Sequence, residues 1–411
     1  MTSERFKEIL SKKKLLVVAR SGFIKKNGFY YANPNEGVFV EQLSTYFSEI
    51  ILCVNIYGGS SVEDNPDNFE SKSHKLDSSN ILIVELETDP ALNRFGKILQ
   101  YLKRFRDVKK ASSKVDYIFF FSTGYLGILS SIISKISKIP SIVYIGGDWA
   151  DLIKFKAKNK GYFKKNLLLG YSKFIKIIQD YTRNTSDIRL IRGDELFHIY
   201  KKENSFKLPP MTNITEKDIR NFEDIPKQTN ERTNILFVGR MELENGIYDF
   251  IEACKIVENE TKKPLQINMV GQGPLFNNVK TRALELKSSI RLFGYVKNGA
   301  KLIEIYRQND ILVIPVMRAG LPRVLIEGLS QGISIVATNT GGIPHIISNN
   351  KNGLLYEAGD YQSLAKNILT LLDDSDLCQT FSKRGIDKAK SLITGDTAAE
   401  FTAEKIYQTM N

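Results

Sequence analysis

Ile314-Pro315-Val316-Met317-Arg318-Ala319-Gly320-Leu321-Pro322-Arg323-Val324-Leu325-Ile326-Glu327-Gly328 is the stretch on which the reading of this chain turns. A short apolar run, 311–314, leads through a Gly-Pro turn into a helix predicted over 322–331, whose first-turn amides have no partner within the helix. Such a helix start suits a diphosphate, because its N–H groups and the helix dipole both favour negative charge. Glu327 stands about one turn inside, where it can accept hydrogen bonds from ribose hydroxyls. Taken alone, the same stretch also reads as an ordinary strand-turn-helix with a surface glutamate.

Outward from it, short apolar runs alternate with helical patterns. Strands are predicted at 235–238, 266–270, 290–293, 311–314 and 333–337, and helices at 248–259, 275–286, 301–308, 322–331 and 361–372. A second series of buried strands, 15–19, 50–54, 81–86, 117–121, 141–145 and 188–191, occupies the first half, with a helix near 38–47. Continuous apolar runs of this length, separated by helices, point to parallel strands covered on both faces, hence two doubly wound α/β domains. Between them the composition turns polar around Pro209-Pro210. The expected division is an N-terminal Rossmann-like domain over 1–205, a linker over 206–232 and a C-terminal Rossmann-like domain over 233–393. In open sheets of this kind ligands bind beyond the carboxyl ends of the strands, so two such domains facing one another place a site in a cleft.

Composition narrows the classes. The chain has 411 residues, 42% hydrophobic and 25% charged, which fits neither a disordered chain nor a polytopic membrane protein. Its net charge of +12 calls for an anionic partner. Cys53, Cys254 and Cys378 are too scattered for a disulfide framework or a metal site, so a reducing cytoplasm is expected. The run 15–19 is too short for a secretory signal, and 126–139, broken by Lys135, is too short to span a bilayer.

The residues quoted above resemble the retaining nucleotide-sugar glycosyltransferases of family 4, which have the GT-B fold. The resemblance rests on AGLPRVLIEG (319–328), then Ala337-Thr338, Gly341-Gly342 and Asn352-Gly353-Leu354-Leu355. It extends to Phe237-Val238-Gly239-Arg240-Met241-Glu242-Leu243-Glu244-Asn245-Gly246 and Val270-Gly271-Gln272-Gly273-Pro274. It is strong over 235–372 and holds only in outline upstream. It implies a metal-independent hexosyltransferase with no cofactor, whose donor is a UDP- or GDP-sugar and whose acceptor is a saccharide or polyprenyl-linked saccharide in cell-surface polysaccharide biosynthesis. It also implies that 394–411 is a helix crossing back to the N-terminal domain.

For the site, the resemblance implies that Glu327 binds the ribose and that Arg240, after Gly239, binds the diphosphate. It further implies that Gly320, Leu321, Val324 and Leu325 bring backbone to the donor, and that the loop carrying Tyr295 and Val296 lies against the base. A guanidinium and oriented amides would stabilise the charge that develops on the departing diphosphate. Ala319 stands where the family's first glutamate is expected and Asn245 where a phosphate-binding lysine is expected. These departures imply an altered donor sugar, compensation by Arg318 or another base, or a catalytically silent nucleotide-sugar-binding partner subunit. A nucleotide-sugar epimerase of the same fold is a further alternative.

In the N-terminal half, Asp148 of Gly146-Gly147-Asp148-Trp149 reads either as a catalytic residue orienting an acceptor hydroxyl or as a loop cap. Gly37, in Asn35-Glu36-Gly37-Val38, reads either as a glycine near the donor phosphates or as turn chemistry. Eight lysines and no acid lie between Lys154 and Lys176, interleaved with aromatic and aliphatic residues, and a second basic stretch runs from Lys97 to Lys114. These suit an anionic membrane surface, and so a cytoplasmic protein held peripherally on the inner face of the cell membrane, or else a solvated face. No nucleic-acid module accompanies them. Asp374-Ser375-Asp376 imitates a metal-binding motif but reads as an exposed turn. His345, like His74 and His198, has no zinc-ligand spacing.

Overall fold

The computed structural model describes residues 3–56, 73–86, 94–122, 124–157, 161–209, 214–226, 232–317, 320–393 and 397–410. Two compact units emerge, one of Met1–Arg192, Leu196–Leu208 and Asp396–Asn411, the other of Gly193–Glu195 and Pro209–Gly395. Both are Rossmann-like: a parallel sheet with helices on its faces.

In the first unit the strands are β1 (Lys14–Lys26), β2 (Phe29–Ala32), β3 (Glu49–Ile56), β4 (His74–Lys75), β5 (Ile81–Leu86), β6 (Tyr117–Phe121), β7 (Ser141–Ile145), β8 (Ile188–Arg192) and β9 (Ser205–Leu208). The parallel order is β5-β3-β1-β6-β7-β8-β9. β6 and β7 are buried at every position, which is why their sequences, YIFFF and SIVYI, carry no polar alternation. β1 does not end with the predicted run 15–19. Its register shifts between Val18 and Gly22, and it runs on to pair antiparallel with β2. The two residues between them, Asn27 (φ 52°) and Gly28 (φ 80°), both have the positive φ that a tight hairpin demands.

The expected linker also starts too early. Ser205–Leu208 adds a parallel edge strand to β8, so the sheet continues past residue 205. With a neighbour on one side only and a single buried residue, this strand lacks the apolar run that marked the others.

The second unit contains β10 (Thr233–Val238), β11 (Leu265–Val270), β12 (Ser289–Gly294), β13 (Ile311–Ile314), β14 (Ser334–Thr338) and β15 (Leu354–Tyr356), all parallel in the order β12-β11-β10-β13-β14-β15. Successive residues feed opposite cores: Ile235, Phe237, Ile311 and Val313 one, Leu236, Leu312, Ile314 and Ile335 the other. The order reverses at β10 and β13, so the loops leaving these neighbours diverge to opposite sides and leave room for a ligand at their carboxyl ends.

Helix Ser375–Leu392 was not anticipated. Asp374 caps it, accepting from the Leu377 amide at 2.8 Å, so Asp374-Ser375-Asp376 is a helix start and not a free turn. The last described helix, Ala398–Met410, packs with helices Ser3–Leu10 and Pro34–Ser44 of the first unit, the rings of Phe6 and Tyr407 lying 6.4 Å apart. All three cysteines are free and buried. Burial pushes the Cys53 thiol up to about 12 and that of Cys378 up to about 11, which keeps both unreactive.

Candidate functional site

The loops leaving β10, β13 and β14 are fastened to one another through backbone groups. The Met317 amide donates to the Glu244 carbonyl at 2.8 Å, Thr338 Oγ1 to the Val316 carbonyl at 2.8 Å, and the Gly342 amide to the Gly320 carbonyl at 3.2 Å. Gly246 (φ 68°) allows the first contact, since a Cβ there would run into the Pro315 carbonyl. On this rigid floor Arg240 projects with its side chain 73% exposed, held among the described residues by Glu242 at 2.5 Å. An exposed guanidinium on a fixed backbone is suited to meet an anion.

Asn245 stands where the resemblance expects a phosphate-binding lysine. Its amide donates to the Arg240 carbonyl at 2.8 Å, so it shapes the loop that carries Arg240. The helix predicted after Pro322 is present as Arg323–Gln331. Of the two amides expected to be open at its start, that of Leu325 donates to the Pro322 carbonyl at 3.1 Å, while that of Val324 makes no hydrogen bond among the described residues. Leu325 instead supplies a fully buried side chain. Gly320 (φ 133°) and the half-buried Leu321 lead into this helix. Arg318 and Ala319 lie outside the described residues.

Glu327 is 5% exposed, not a surface glutamate. Tyr306, from helix Ala300–Arg307, donates its hydroxyl to Glu327 Oε2 at 2.9 Å. Burial pushes the Glu327 carboxyl up; the Tyr306 bond and the nearby Arg323 pull the other way. Burial and the adjacent carboxylate drive the Tyr306 hydroxyl well above its usual range, so it stays a donor. The pair lines a cavity of about 420 Å³ within the second unit, walled also by Asn298, Ala300 and, ahead of β10, Ile214, Lys217 and Asp218. Tyr306 was not singled out from the sequence; an aromatic four residues before Asp310 looks like core until its partner is known. Tyr295 is 36% exposed beside Arg323, and Val296 is buried in the core beneath it.

In the first unit Asp148 is a cap. Its Oδ1 accepts from the Asp151 amide at 3.1 Å at the start of helix Trp149–Ala157, and Tyr200 donates to Oδ2. Burial pushes its carboxyl up, but these bonds and Arg183 outweigh it and hold the group below its ordinary range. Gly37 is not a turn residue: helix Pro34–Ser44 already contains it, and a Cβ there would crowd His74 at 2.7 Å.

The basic stretch after Lys154 forms most of helix Tyr162–Thr185, which leaves Phe163 (89% exposed), Leu167, Phe174 and Ile177 in solvent between Lys164, Lys165, Lys173 and Lys176. Helix Arg94–Ser112 likewise exposes Ile98, Leu99 and Leu102. Residues 158–160 of the first stretch lie outside the described residues. Among the described residues no helix is long and apolar enough to cross a membrane.

Residues 218–388 match the family described as Glycosyl transferases group 1. An uncharacterized glycosyltransferase of Methanocaldococcus jannaschii is 25% identical over 327 residues, 79% of this chain and 83% of that protein. The capsular polysaccharide biosynthesis glycosyltransferase CapM of Staphylococcus aureus is 23% identical over 46% of this chain and 49% of its own length, so the chain spans about half of that relative. The solved structure of HepE from Anabaena, in complex with UDP, superposes with a TM-score of 0.66 over 96% of this chain and 100% of that one, at 15% identity. The fold is GT-B, and the matches support a glycosyltransferase.

Proposed function

We propose that this chain is a retaining, metal-independent glycosyltransferase of family 4 that moves a sugar from a UDP- or GDP-sugar to a saccharide or polyprenyl-linked saccharide acceptor. The observation that carries the reading is Glu327: a buried carboxylate oriented by Tyr306, one turn inside a helix whose Val324 amide is open, with Arg240 exposed on the neighbouring loop. Glu327 takes the ribose hydroxyls, and Arg240 and the Val324 amide take the diphosphate. As the glycosidic bond breaks, charge grows on the departing diphosphate, and groups fixed beforehand stabilise that charge without reorganising. Because the Asn245 amide is tied to backbone, the positive charge at the phosphates falls on Arg240.

The name of the Staphylococcus relative supports a place in cell-surface polysaccharide biosynthesis, and the UDP held by HepE supports a nucleotide-sugar donor. The exposed stripe of helix Tyr162–Thr185 supports peripheral attachment to an anionic membrane surface on the cytoplasmic side, where apolar side chains enter the acyl boundary and each flanking lysine adds about 1 kcal/mol.

The test is mass-spectrometric detection of nucleoside diphosphate released from UDP-, GDP- and ADP-sugars in the presence of membrane lipid extract. Release by the native chain, falling about 100-fold or more in Arg240→Ala with unchanged melting temperature, is the expected result. A catalytically silent partner subunit binds nucleotide and releases none; an epimerase converts the donor without any acceptor.

A further inference from the structure

Helix Tyr162–Thr185 has a second face. Outward it carries the exposed stripe of Phe174, Ile177 and the flanking lysines; inward it clamps the loop Gly146-Gly147-Asp148-Trp149, which leaves the carboxyl end of β7. Ser172 Oγ donates to the Ala150 carbonyl at 2.7 Å, and Gln179 Oε1 accepts from the Ala150 amide at 3.2 Å. Arg183, its side chain 3% exposed, donates from Nη2 to the Gly147 carbonyl at 3.4 Å. Its guanidinium lies 3.7 Å over the ring of Tyr200, whose hydroxyl donates to Asp148.

One carboxylate joins the two faces. Asp180 Oδ2 pairs with Lys176 at 3.5 Å on the solvent side, and Asp180 Oδ1 with Arg183 Nη1 at 3.4 Å on the buried side. Burial pushes the Asp148 carboxyl up, and the Tyr200 bond, the Asp151 amide, Arg183 and Lys176 draw it down, so the charge of Lys176 is felt within the loop. The loop also has room for another pairing. Arg183 Nε and Gln179 Nε2 are buried with no hydrogen-bond partner among the described residues, and a Cβ on Gly147 would meet nothing within 4 Å. Open buried donors are unfavourable, so a loop arrangement that fills them recovers part of what it gives up.

Resting on the reading of the outer stripe as a membrane contact, we propose that this helix relays the contact inward: an anionic lipid headgroup draws Lys176 from Asp180, Asp180 then holds Arg183 alone, and Arg183 releases the Gly147 carbonyl so that loop 146–149 takes a second arrangement. The magnitudes favour each step. A solvent-exposed ion pair such as Lys176–Asp180 is weak, and the attraction of one lysine to an anionic leaflet is of the same size or larger. A guanidinium–carboxylate bond, charged on both sides, outweighs one to a neutral carbonyl. Loops at the carboxyl ends of such sheets face ligands, so the membrane sets the shape of a ligand-facing loop, with a coupling of about two- to fivefold, the range of one surface ion pair.

Trp149 is the single tryptophan of the chain and is 40% exposed, so its fluorescence reports the loop directly. The experiment is acrylamide quenching of Trp149 in the full chain, alone and on phosphatidylglycerol or phosphatidylcholine vesicles, with binding measured in parallel by co-sedimentation and folding checked by melting temperature. The native quenching constant changes about twofold on phosphatidylglycerol, within that coupling, and stays constant with phosphatidylcholine. Asp180→Asn and Arg183→Lys bind phosphatidylglycerol vesicles as the native chain does and lose the change. Lys176→Gln, at an exposed position that tolerates substitution, shows without lipid the quenching constant of the native chain on phosphatidylglycerol. Lys173→Ala, on the same exposed face, weakens vesicle binding yet keeps the full change once bound. A native chain that binds phosphatidylglycerol with unchanged quenching overturns the relay and leaves the membrane reading standing, as does a change that persists in Asp180→Asn and Lys176→Gln. A native chain that binds no anionic vesicle overturns both. Quenching of Trp149 by phosphatidylglycerol brominated on its acyl chains assigns the change to insertion of the indole and overturns the relay as well.

Discussion

Replacing Tyr306 with Phe removes one oxygen from the interior and leaves the ring in place, so no cavity of side-chain size opens. What is lost is the hydroxyl that donates to Glu327 Oε2 at 2.9 Å, in a site where the carboxylate is 5% exposed. A hydrogen bond to a charged acceptor contributes about 1.5–3 kcal/mol, against about 0.5–1.5 kcal/mol when the acceptor is neutral. The cost therefore depends on the ionisation of Glu327. Its folded pKa is already raised by burial, so the folded chain holds this proton more tightly than the unfolded chain. Between the unfolded value, near 4.3, and the higher folded value, stability contributed by this group falls as pH rises. Without the Tyr306 donor the folded value climbs further and the falling window widens. Tyr306→Phe is thus expected to cost about 1 kcal/mol at pH ~3, well below the unfolded value, and about 2 kcal/mol or more at pH ~8. Urea denaturation followed at the two pH values measures the difference, and nucleotide affinity in the same variant should weaken at pH ~8 while melting remains cooperative. Equal losses at both pH values would refute the argument that Tyr306 supports a buried charge.

Gly246→Ala forces a side chain into the Pro315 carbonyl at φ 68°, so a loss above about 2 kcal/mol is expected, visible as a melting temperature lowered by several degrees; an unchanged melting curve would show that the two loops are not fastened there. Asp148→Ala should cost about 1 kcal/mol at neutral pH through the lost cap. Its native carboxyl is held below the usual range, so this contribution is present above the unfolded value near 3.9 and disappears as pH falls through the lower folded value, which acid titration of the two proteins by circular dichroism would reveal. Phe163→Ser with Leu167→Ser and Phe174→Ser should weaken co-sedimentation with phosphatidylglycerol vesicles at least about tenfold without altering nucleotide affinity. Binding that is unaffected, or equal on neutral vesicles, would remove the membrane reading of this helix.

Most of the architecture was legible because a strand buried on both faces must be apolar throughout. YIFFF at 117–121, SIVYI at 141–145 and ILVI at 311–314 announce themselves, and the helices between them follow from spacing. The misreadings share a cause. β9 has one neighbour, helix Ser375–Leu392 is rich in charge along its outer face, and the far end of β1 pairs away from the core, so none carries a continuous apolar run.

For the site, the helix start at Arg323 and Glu327 came under suspicion because residue types and their spacing after a buried strand are local properties, whereas Arg240 came only through the family resemblance. Which of these groups remain open to a ligand is not local. Leu325 spends its amide on Pro322, Asn245 its side chain on Arg240 and Asp148 its oxygens on a helix start and Tyr200, and each partner is chosen by how the backbone closes on itself. The partnership of Tyr306 with Glu327, and the residues ahead of β10 that wall their cavity, join residues 21 and about 110 positions apart along the chain, a proximity that packing creates and that no periodicity in the sequence encodes.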